Sequence, residues 1–163
     1  MSASIKVGDT IPEAEFPTVF WSEELESGAP VVFQAQHKGL GRQKGVVVAV
    51  PGAFTPTCHV NHIPAYVKNS QLQDKGVDQS SSSLPMIHLS CRAGAATVLF
   101  VTDTYAEWSK KLGLSVDLTG HGLGERTGRY ALILDDLKVT KLFVEPNPGA
   151  VSNTGAEHIL AEL

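Results

Sequence analysis

Residues 46–58 read Val-Val-Val-Ala-Val-Pro-Gly-Ala-Phe-Thr-Pro-Thr-Cys, and this stretch decides how the chain folds. The five apolar residues at its start, mostly valine, predict a buried strand. Pro51 and Gly52 end that strand, and Pro56 suits the first position of a following helix. Cys58 then falls in the first turn of the helix, where free backbone N–H groups and the helix dipole favour an anion. This placement predicts a nucleophilic thiolate.

The composition predicts one globular domain spanning residues 1–163. Of these residues, 42% are hydrophobic and 18% are charged, which is ordinary for a soluble protein. The net charge of −4 argues against nucleic acid or an anionic membrane as the main partner. No apolar stretch approaches the roughly 20 residues that a membrane-spanning helix needs.

The cysteine count bears on location. Two cysteines do not make a disulfide framework, so we expect a reducing compartment. Residues 161–163 resemble a peroxisomal tripeptide in shape, but Glu162 stands where such signals carry a basic residue. The prediction is therefore cytoplasmic rather than peroxisomal or mitochondrial.

Strand and helix patterns alternate along the chain. The apolar spacing predicts strands at 31–33, 46–50 and 98–101, helices at 56–75, 103–112 and from about 152, and a hairpin of strands 130–134 and 139–144. This order predicts an α/β fold, in which helices flank both faces of a mixed central sheet.

The spacing also predicts the buried helix faces. We expect the buried side chains to be Val60, Ile63 and Val67 in the first helix, Tyr105, Trp108 and Leu112 in the second, and Ile159, Leu160 and Leu163 in the third. Thr104 and Glu107 have capping-box spacing, Pro64 should kink the first helix, and Gly76 and Gly113 should end the first two.

One segment breaks the pattern. Gln-Ser-Ser-Ser-Ser at residues 79–83 stands where the fold needs a strand parallel to residues 46–50. A strand covered on both faces should be almost wholly apolar. Taken alone, these five polar residues favour a flexible serine loop.

The sequence from Pro51 to Cys58, with Thr55 between them, resembles the active-site signature of the peroxiredoxins, specifically their atypical type-II, fungal-type branch. The resemblance continues through residues 62–64, 75–78, 100–103, 108–113 and 126–132, and it fails at about 79–97. It implies a thioredoxin-like fold and thiol-specific reduction of hydrogen peroxide and organic hydroperoxides in antioxidant defence, without a cofactor. It also implies a homodimer.

The residues and the resemblance point to the same roles. Cys58 would be the peroxidatic thiolate that becomes a sulfenic acid. Thr55 would orient thiolate and peroxide, and could also cap the helix, while Pro51 would shield the site from water. Arg129 would stabilise the thiolate and the charge that moves onto the leaving oxygen, whereas Arg126 is expected at the surface.

Other chemistry is less favoured. Cys58, His59 and His62 have a spacing that could bind zinc, but further convergent ligands are not apparent. His62 is therefore expected to be packed and bonded to the backbone. A thioredoxin-type oxidoreductase would need Cys-x-x-Cys, which the sequence lacks.

Cys91 is the one internal thiol that could resolve the sulfenic acid by forming a disulfide with Cys58. Because it lies in the segment that departs from the family, an external thiol is the alternative. Glutathione, glutaredoxin or thioredoxin would serve.

The departing segment suggests a shifted reading frame. With suitable synonymous codons for residues 79–91, the neighbouring frame translates as Val-Val-Val-Val-Ala-Ser-Asn-Asp-Pro-Phe-Val-Met. It restores both an apolar strand and a motif typical of the family. We therefore predict a frameshifted translation here, which sequencing the transcript would test. The alternative function is a catalytically impaired, peroxiredoxin-like interaction module.

Overall fold

A computed structural model describes residues 3–20, 29–34, 44–52, 55–67, 75, 79–84 and 99–163. The strands in these ranges are β1 (Glu15–Phe20), β2 (Ala29–Gln34), β3 (Lys44–Ala49), β4 (Gln79–Leu84), β5 (Leu99–Thr102), β6 (Ser115–Asp117), β7 (Glu125–Thr127), β8 (Tyr130–Asp135) and β9 (Lys138–Val144). Seven of them form one sheet in the order β2-β1-β5-β4-β3-β8-β9, and β6 pairs with β7.

The sheet is mixed, as predicted. β3, β4 and β5 are parallel neighbours at its centre, and the outer pairs are antiparallel. The serine segment is a strand: Val47 pairs with Ser81 and Val48 with Ser82. The expectation of a loop is therefore wrong, and the parallel strand that the fold needs is present. Strand pairing uses backbone groups, which serine supplies as well as valine does.

The helical segments are short. A π-helical segment (Pro56–His62) continues as α1 (Ile63–Val67), a 3₁₀ turn (Thr104–Ala106) precedes α2 (Glu107–Lys111), a second 3₁₀ turn covers Thr119–His121, and α3 is Ala156–Glu162. None of the helices in the described ranges is long and apolar enough to cross a membrane.

Alternate side chains of β3 build two cores, one on each face of the sheet, which confirms the predicted layers. One cluster includes Val47, Ala49, Trp108, Leu112 and Leu132, and the other includes Val46, Val48, Tyr66, Ile159 and Leu160. Burying each valine, leucine or isoleucine side chain of these clusters contributes roughly 1.5–3 kcal/mol before entropy losses are counted.

The buried face of the first helix differs from the prediction. Ile63 is buried as predicted, but Val60 and Val67 are 66% and 51% exposed. His62 and Tyr66 are buried instead of the two valines. The reason is the π-helical turn, which holds more residues per turn than the assumed period of 3.6. This widened turn lies just before Pro64, where a kink was expected. The predicted end of this helix at Gly76 lies outside the described residues, and Lys75 is a turn residue.

Asp103 caps α2 in place of the expected capping box. Its carboxylate accepts hydrogen bonds from the backbone N–H of Trp108 (2.9 Å), the N–H of Ser109 (3.0 Å) and the hydroxyl of Ser109 (2.7 Å). Burial raises the pKa of Asp103, and these bonds oppose that rise. The cap therefore comes from the residue before Thr104.

Tyr105 is exposed, contrary to the prediction. Tyr105 and Ala106 have φ angles of 56° and 54°, which interrupt the helix and leave the tyrosine 76% exposed. Trp108 and Leu112 are buried as expected, and Gly113 ends the helix with a φ of 67°.

The predicted hairpin and last helix are both present, and the helix begins at Ala156, a few residues later than expected. The β8–β9 hairpin turns at Asp136-Leu137, where both φ angles are positive, one residue later than expected. Ile159 and Leu160 of α3 are buried, and Leu163 is half-buried.

Candidate active site

Cys58 lies where the chain leaves β3 and begins its first helical segment. Its side chain is 2% exposed and packs with Val50 and Ile63. The backbone N–H of His59 donates to the carbonyl of Thr55 at 2.8 Å and closes the first turn. Cys58 thus belongs to the opening of the helix, as the sequence predicts.

Arg129 contacts Cys58 although the two residues are 71 positions apart in the sequence. It precedes β8 and is 1% exposed. Its Nη2 donates to Cys58 Sγ at 3.0 Å, its Nη1 donates to Nδ1 of His62 at 2.8 Å, and its Nε donates to the carbonyl of Pro148 at 2.8 Å. All three nitrogens are engaged, so the guanidinium is fixed against the sulfur.

The approach of Arg129 depends on the residue before it. A Cβ at Gly128 would lie 2.7 Å from the carbonyl oxygen of Leu114, so only glycine fits there. Arg126 is half-buried and bonds to the carbonyl of Leu123 at 2.6 Å instead of to Cys58. The structure therefore brings Arg129, and not Arg126, to the sulfur.

His62 is a neutral ring between two fixed partners. Its Nε2 lies 2.8 Å from the carbonyl of Thr154, which can only accept, so Nε2 carries the proton and Nδ1 accepts from Arg129. Burial is the main cause that lowers the pKa of His62 to about 4. The Thr154 bond and Glu145 raise this pKa, whereas the charge of Arg129 lowers it further.

These bonds weigh against a zinc site. Both ring nitrogens of His62 are engaged with protein partners, as the prediction of a packed histidine anticipated. Over the described ranges, no three His, Cys, Asp or Glu side chains cluster as metal ligands.

Thr55 and Pro51 border the sulfur. Thr55 Oγ1 donates to the carbonyl of Gly52 at 3.1 Å and makes no capping bond, so the expected cap role is wrong. The hydroxyl keeps its lone pairs for a proton of an incoming molecule. A Cβ at Gly52 would lie 2.8 Å from the Thr55 methyl carbon, so glycine permits this tight turn.

A cavity of about 340 Å³ opens onto the site. Its lining includes Pro51, Thr55, Cys58 and Arg129, the four residues predicted to be catalytic. Leu118, Leu123 and Pro148 give other parts of the lining an apolar character. The cavity can therefore take a small polar oxidant at the sulfur and an apolar group beside it. Cys91 lies outside the described residues.

Glu145 and Thr154 are the site residues that the sequence reasoning missed. Glu145 is buried after β9, and its carboxylate accepts hydrogen bonds from Ser152 and Thr154. Burial alone would raise the pKa of Glu145, but these bonds outweigh burial and hold it below its usual range. An acidic residue directly after an apolar strand was the one signal available.

The chain is similar to known proteins over nearly its whole length. The sequence profile of the Redoxin family matches residues 6–160. Peroxiredoxin-2C from Oryza sativa subsp. japonica is 37% identical, and Peroxiredoxin-2B from Arabidopsis thaliana is 36% identical; each match covers 99% of both chains.

Solved structures agree. Reduced Prx3 from Vibrio vulnificus in complex with H2O2 superposes with a TM-score of 0.78 at 35% identity, over 97% of this chain and 98% of that one. Peroxiredoxin 5 from Alvinella pompejana, at 23% identity, shares the fold with a TM-score of 0.69 over 96% of both chains.

Proposed function

The chain belongs to the Redoxin family as a peroxiredoxin, and we propose that Cys58 is the residue through which it reduces peroxides. The fold is thioredoxin-like, and the activity is that of a thiol-dependent peroxidase, an oxidoreductase. The similarity spans the serine segment and does not support the alternative of an impaired interaction module. One contact carries the proposal for Cys58: Arg129 Nη2 lies 3.0 Å from its sulfur, at the cavity.

The reaction is a two-electron displacement at oxygen. The Cys58 thiolate attacks the distal oxygen, the O–O bond breaks, and sulfur keeps that oxygen as a sulfenic acid. The proximal oxygen leaves with the bonding pair and takes a proton, giving water or an alcohol. Sulfur is oxidised and the peroxide is reduced, so no cofactor is required.

Arg129 stabilises the charges of this step. Its Nη2–H already points at the sulfur, and it is positioned for the negative charge that spreads from sulfur to the leaving oxygen. The bonds to His62 and Pro148 are in place before the peroxide arrives, so little reorganisation is needed during the reaction.

Thr55 and Pro51 prepare the peroxide. The Thr55 hydroxyl donates to the carbonyl of Gly52, which leaves it as an acceptor for the peroxide O–H. Pro51, buried at the end of β3, has no N–H to hold water near the sulfur. Together they would favour one orientation of the oxidant.

The substrates we propose are hydrogen peroxide and alkyl hydroperoxides. Cys58 and Arg129 would take the O–O group, and Leu118 and Leu123 would contact an alkyl group. The Vibrio vulnificus relative is described with hydrogen peroxide bound, which supports the smaller substrate.

The thiol reductant is proposed to be external, such as glutathione, glutaredoxin or thioredoxin. Cys91 remains the internal alternative. Turnover of Cys91→Ser with each reductant would decide, because an internal disulfide requires Cys91 and direct reduction of the sulfenic acid does not.

We also propose a homodimer in the cytoplasm. Exposed apolar side chains of Val60 and Val67, on the helical segments that hold Cys58, support self-association. Light scattering after size exclusion tests the dimer. The scarcity of cysteine supports a reducing compartment, which imaging of a tagged chain would test.

A turnover assay tests the function. With dithiothreitol as reductant, the chain should consume hydrogen peroxide and Cys58→Ser should not. Ser4→Ala, which changes an exposed serine outside the cavity lining, provides the control. Equal rates for the chain and Cys58→Ser would disprove the role of Cys58.

A further inference from the structure

A continuous series of hydrogen bonds joins Glu145 to Cys58. The carboxylate of Glu145 holds Thr154, the carbonyl of Thr154 accepts from His62, and His62 accepts from Arg129, which donates to the sulfur. Only the last group touches the reacting atom. The carboxylate at the other end of the series, that of Glu145, is buried and has no role in the peroxidase steps described above.

The Glu145 end of the series consists of donors that face both oxygens of the carboxylate. Oε1 accepts from the N–H of Ser152 (2.7 Å), the N–H of Thr154 (2.8 Å) and the hydroxyl of Thr154 (3.0 Å), and Oε2 accepts from the hydroxyl of Ser152 (2.8 Å). Every partner is a donor in these bonds. A glutamine here would turn an N–H group toward at least one of them and would remove the negative charge, and of the four donors only the two hydroxyls could become acceptors.

Thr154 connects Glu145 to His62. With its N–H and hydroxyl held by Glu145, its carbonyl accepts from both the Tyr66 hydroxyl and His62 Nε2–H. Burial, then the charge of Glu145, raises the pKa of Tyr66, so its hydroxyl remains a donor. The proton of His62 is therefore fixed on Nε2.

His62 in turn fixes the arginine. With Nε2 protonated, Nδ1 offers a lone pair to Arg129 Nη1 at 2.8 Å. The other tautomer would place N–H against N–H and push the guanidinium from the sulfur. The backbone adds a second link, because the N–H of Glu145 donates to the carbonyl of Arg129 at 2.9 Å.

We propose that Glu145 is a positioning residue of the peroxidase site, which acts through Thr154 and the tautomer of His62 to hold Arg129 on the sulfur of Cys58. This inference rests on the proposed roles of Cys58 and Arg129. The acid itself touches neither peroxide nor sulfur.

The first test compares Glu145→Gln, Glu145→Asp and Glu157→Gln in the full chain. Glu157 is an exposed acid on α3 and serves as the matched control. We expect Glu145→Gln to lower the second-order rate constant with hydrogen peroxide roughly tenfold, since couplings of this kind are modest. Glu145→Asp should recover part of the loss, and Glu157→Gln should leave the rate unchanged.

A spectroscopic measurement separates positioning from general damage. Ring ¹⁵N shifts of His62, assigned against His62→Gln, should show a single Nε2–H tautomer in the chain and in Glu157→Gln. They should show mixed tautomers in Glu145→Gln. A slower rate with an unchanged tautomer would overturn the proposal, as would an unchanged rate.

A second pair of variants tests the His62 step of the proposal even if Glu145→Gln does not fold. His62→Asn places an oxygen near Nδ1, where it can still accept from Arg129, whereas His62→Gln keeps a donor toward Thr154 and loses that acceptor. Both remove the ring, so they should lose similar stability. We expect His62→Gln to react more slowly than His62→Asn; the reverse order, or equal rates, would contradict the proposal.

The proposed function can fail separately. If Cys58→Ser reacted with peroxide as fast as the chain, the role of Cys58 would fall and this inference with it. If Cys58→Ser were inert while Glu145→Gln behaved like Glu157→Gln, only the inference would be lost.

Discussion

Arg129 is a buried cation whose three donor nitrogens are all engaged, one of them on the reactive sulfur. Burying such a charge is costly unless its surroundings compensate it. Here the compensation comes from Cys58, His62 and the carbonyl of Pro148. The same three bonds stabilise the buried guanidinium and hold it against the sulfur. They therefore serve both the stability of the fold and the reaction.

The first prediction concerns Arg129→Lys. A lysine retains the positive charge but has no planar fork, so it cannot reach the sulfur, His62 and Pro148 together. We expect the second-order rate constant with hydrogen peroxide to fall roughly 100-fold, comparable to loss of a preorganised donor. Stopped-flow competition measures it. Arg126→Lys should react at the original rate, and equal rates for both variants would refute the assignment.

The second prediction concerns His62 and pH. Its pKa is about 4 in the folded chain and near 6.5 when exposed, so the unfolded chain binds the extra proton between these values. Stability therefore falls as pH drops through this window, by about 2 kcal/mol between pH 7 and 5. Above the window His62 is neutral in both states and contributes no slope.

Urea unfolding at the two pH values checks this. His62→Asn should flatten the dependence, while His121→Asn, at an exposed histidine, should keep it. A His62→Asn variant with the full slope would show that another group is responsible.

Some of the proposed catalytic residues could be predicted from the sequence more easily than others. Pro51, Thr55 and Cys58 lie within one local motif, so spacing alone brings them together. Arg129 is 71 positions from Cys58, and the family resemblance was the main reason for choosing it. Glu145 was missed because its partners are loop residues, whose turn has no periodic pattern to read.

At the level of elements, local periodicity predicted β3, β5, the β8–β9 hairpin and α3. It failed where the period changes. The π-helical segment moved Val60 to the surface, and the positive φ of Tyr105 did the same for that side chain. The strands of the separate two-stranded sheet, β6 and β7, have too few residues to show a periodic pattern.

The third prediction belongs to β4. This strand lies between β3 and β5, and Ser81 and Ser82 pair with Val47 and Val48. Central parallel strands are usually apolar and β-branched. We expect Ser81→Val and Ser82→Val each to raise the free energy of unfolding by about 1 kcal/mol, measured in urea. A loss of stability would mean that the hydroxyls make bonds that valine cannot replace.

At the scale of the whole molecule, the sheet brings distant segments to one end of β3. Cys58 follows β3, Arg129 precedes β8 and Glu145 follows β9, and antiparallel pairing of these strands places the three side by side. The sheet order that achieves this depends on long-range pairing, which local sequence patterns do not reveal. The layers were predicted from local patterns and the meeting of Cys58 with Arg129 from the family resemblance, whereas the position of Glu145 was not predicted.

One measurement tests the central claim most directly. The chain is treated with one equivalent of hydrogen peroxide in the presence of dimedone, and its peptides are analysed by mass spectrometry. The account predicts that the sulfenic acid adduct forms on Cys58 and that Arg129→Lys forms it far more slowly. An unmodified Cys58 while the peroxide is consumed would contradict the account.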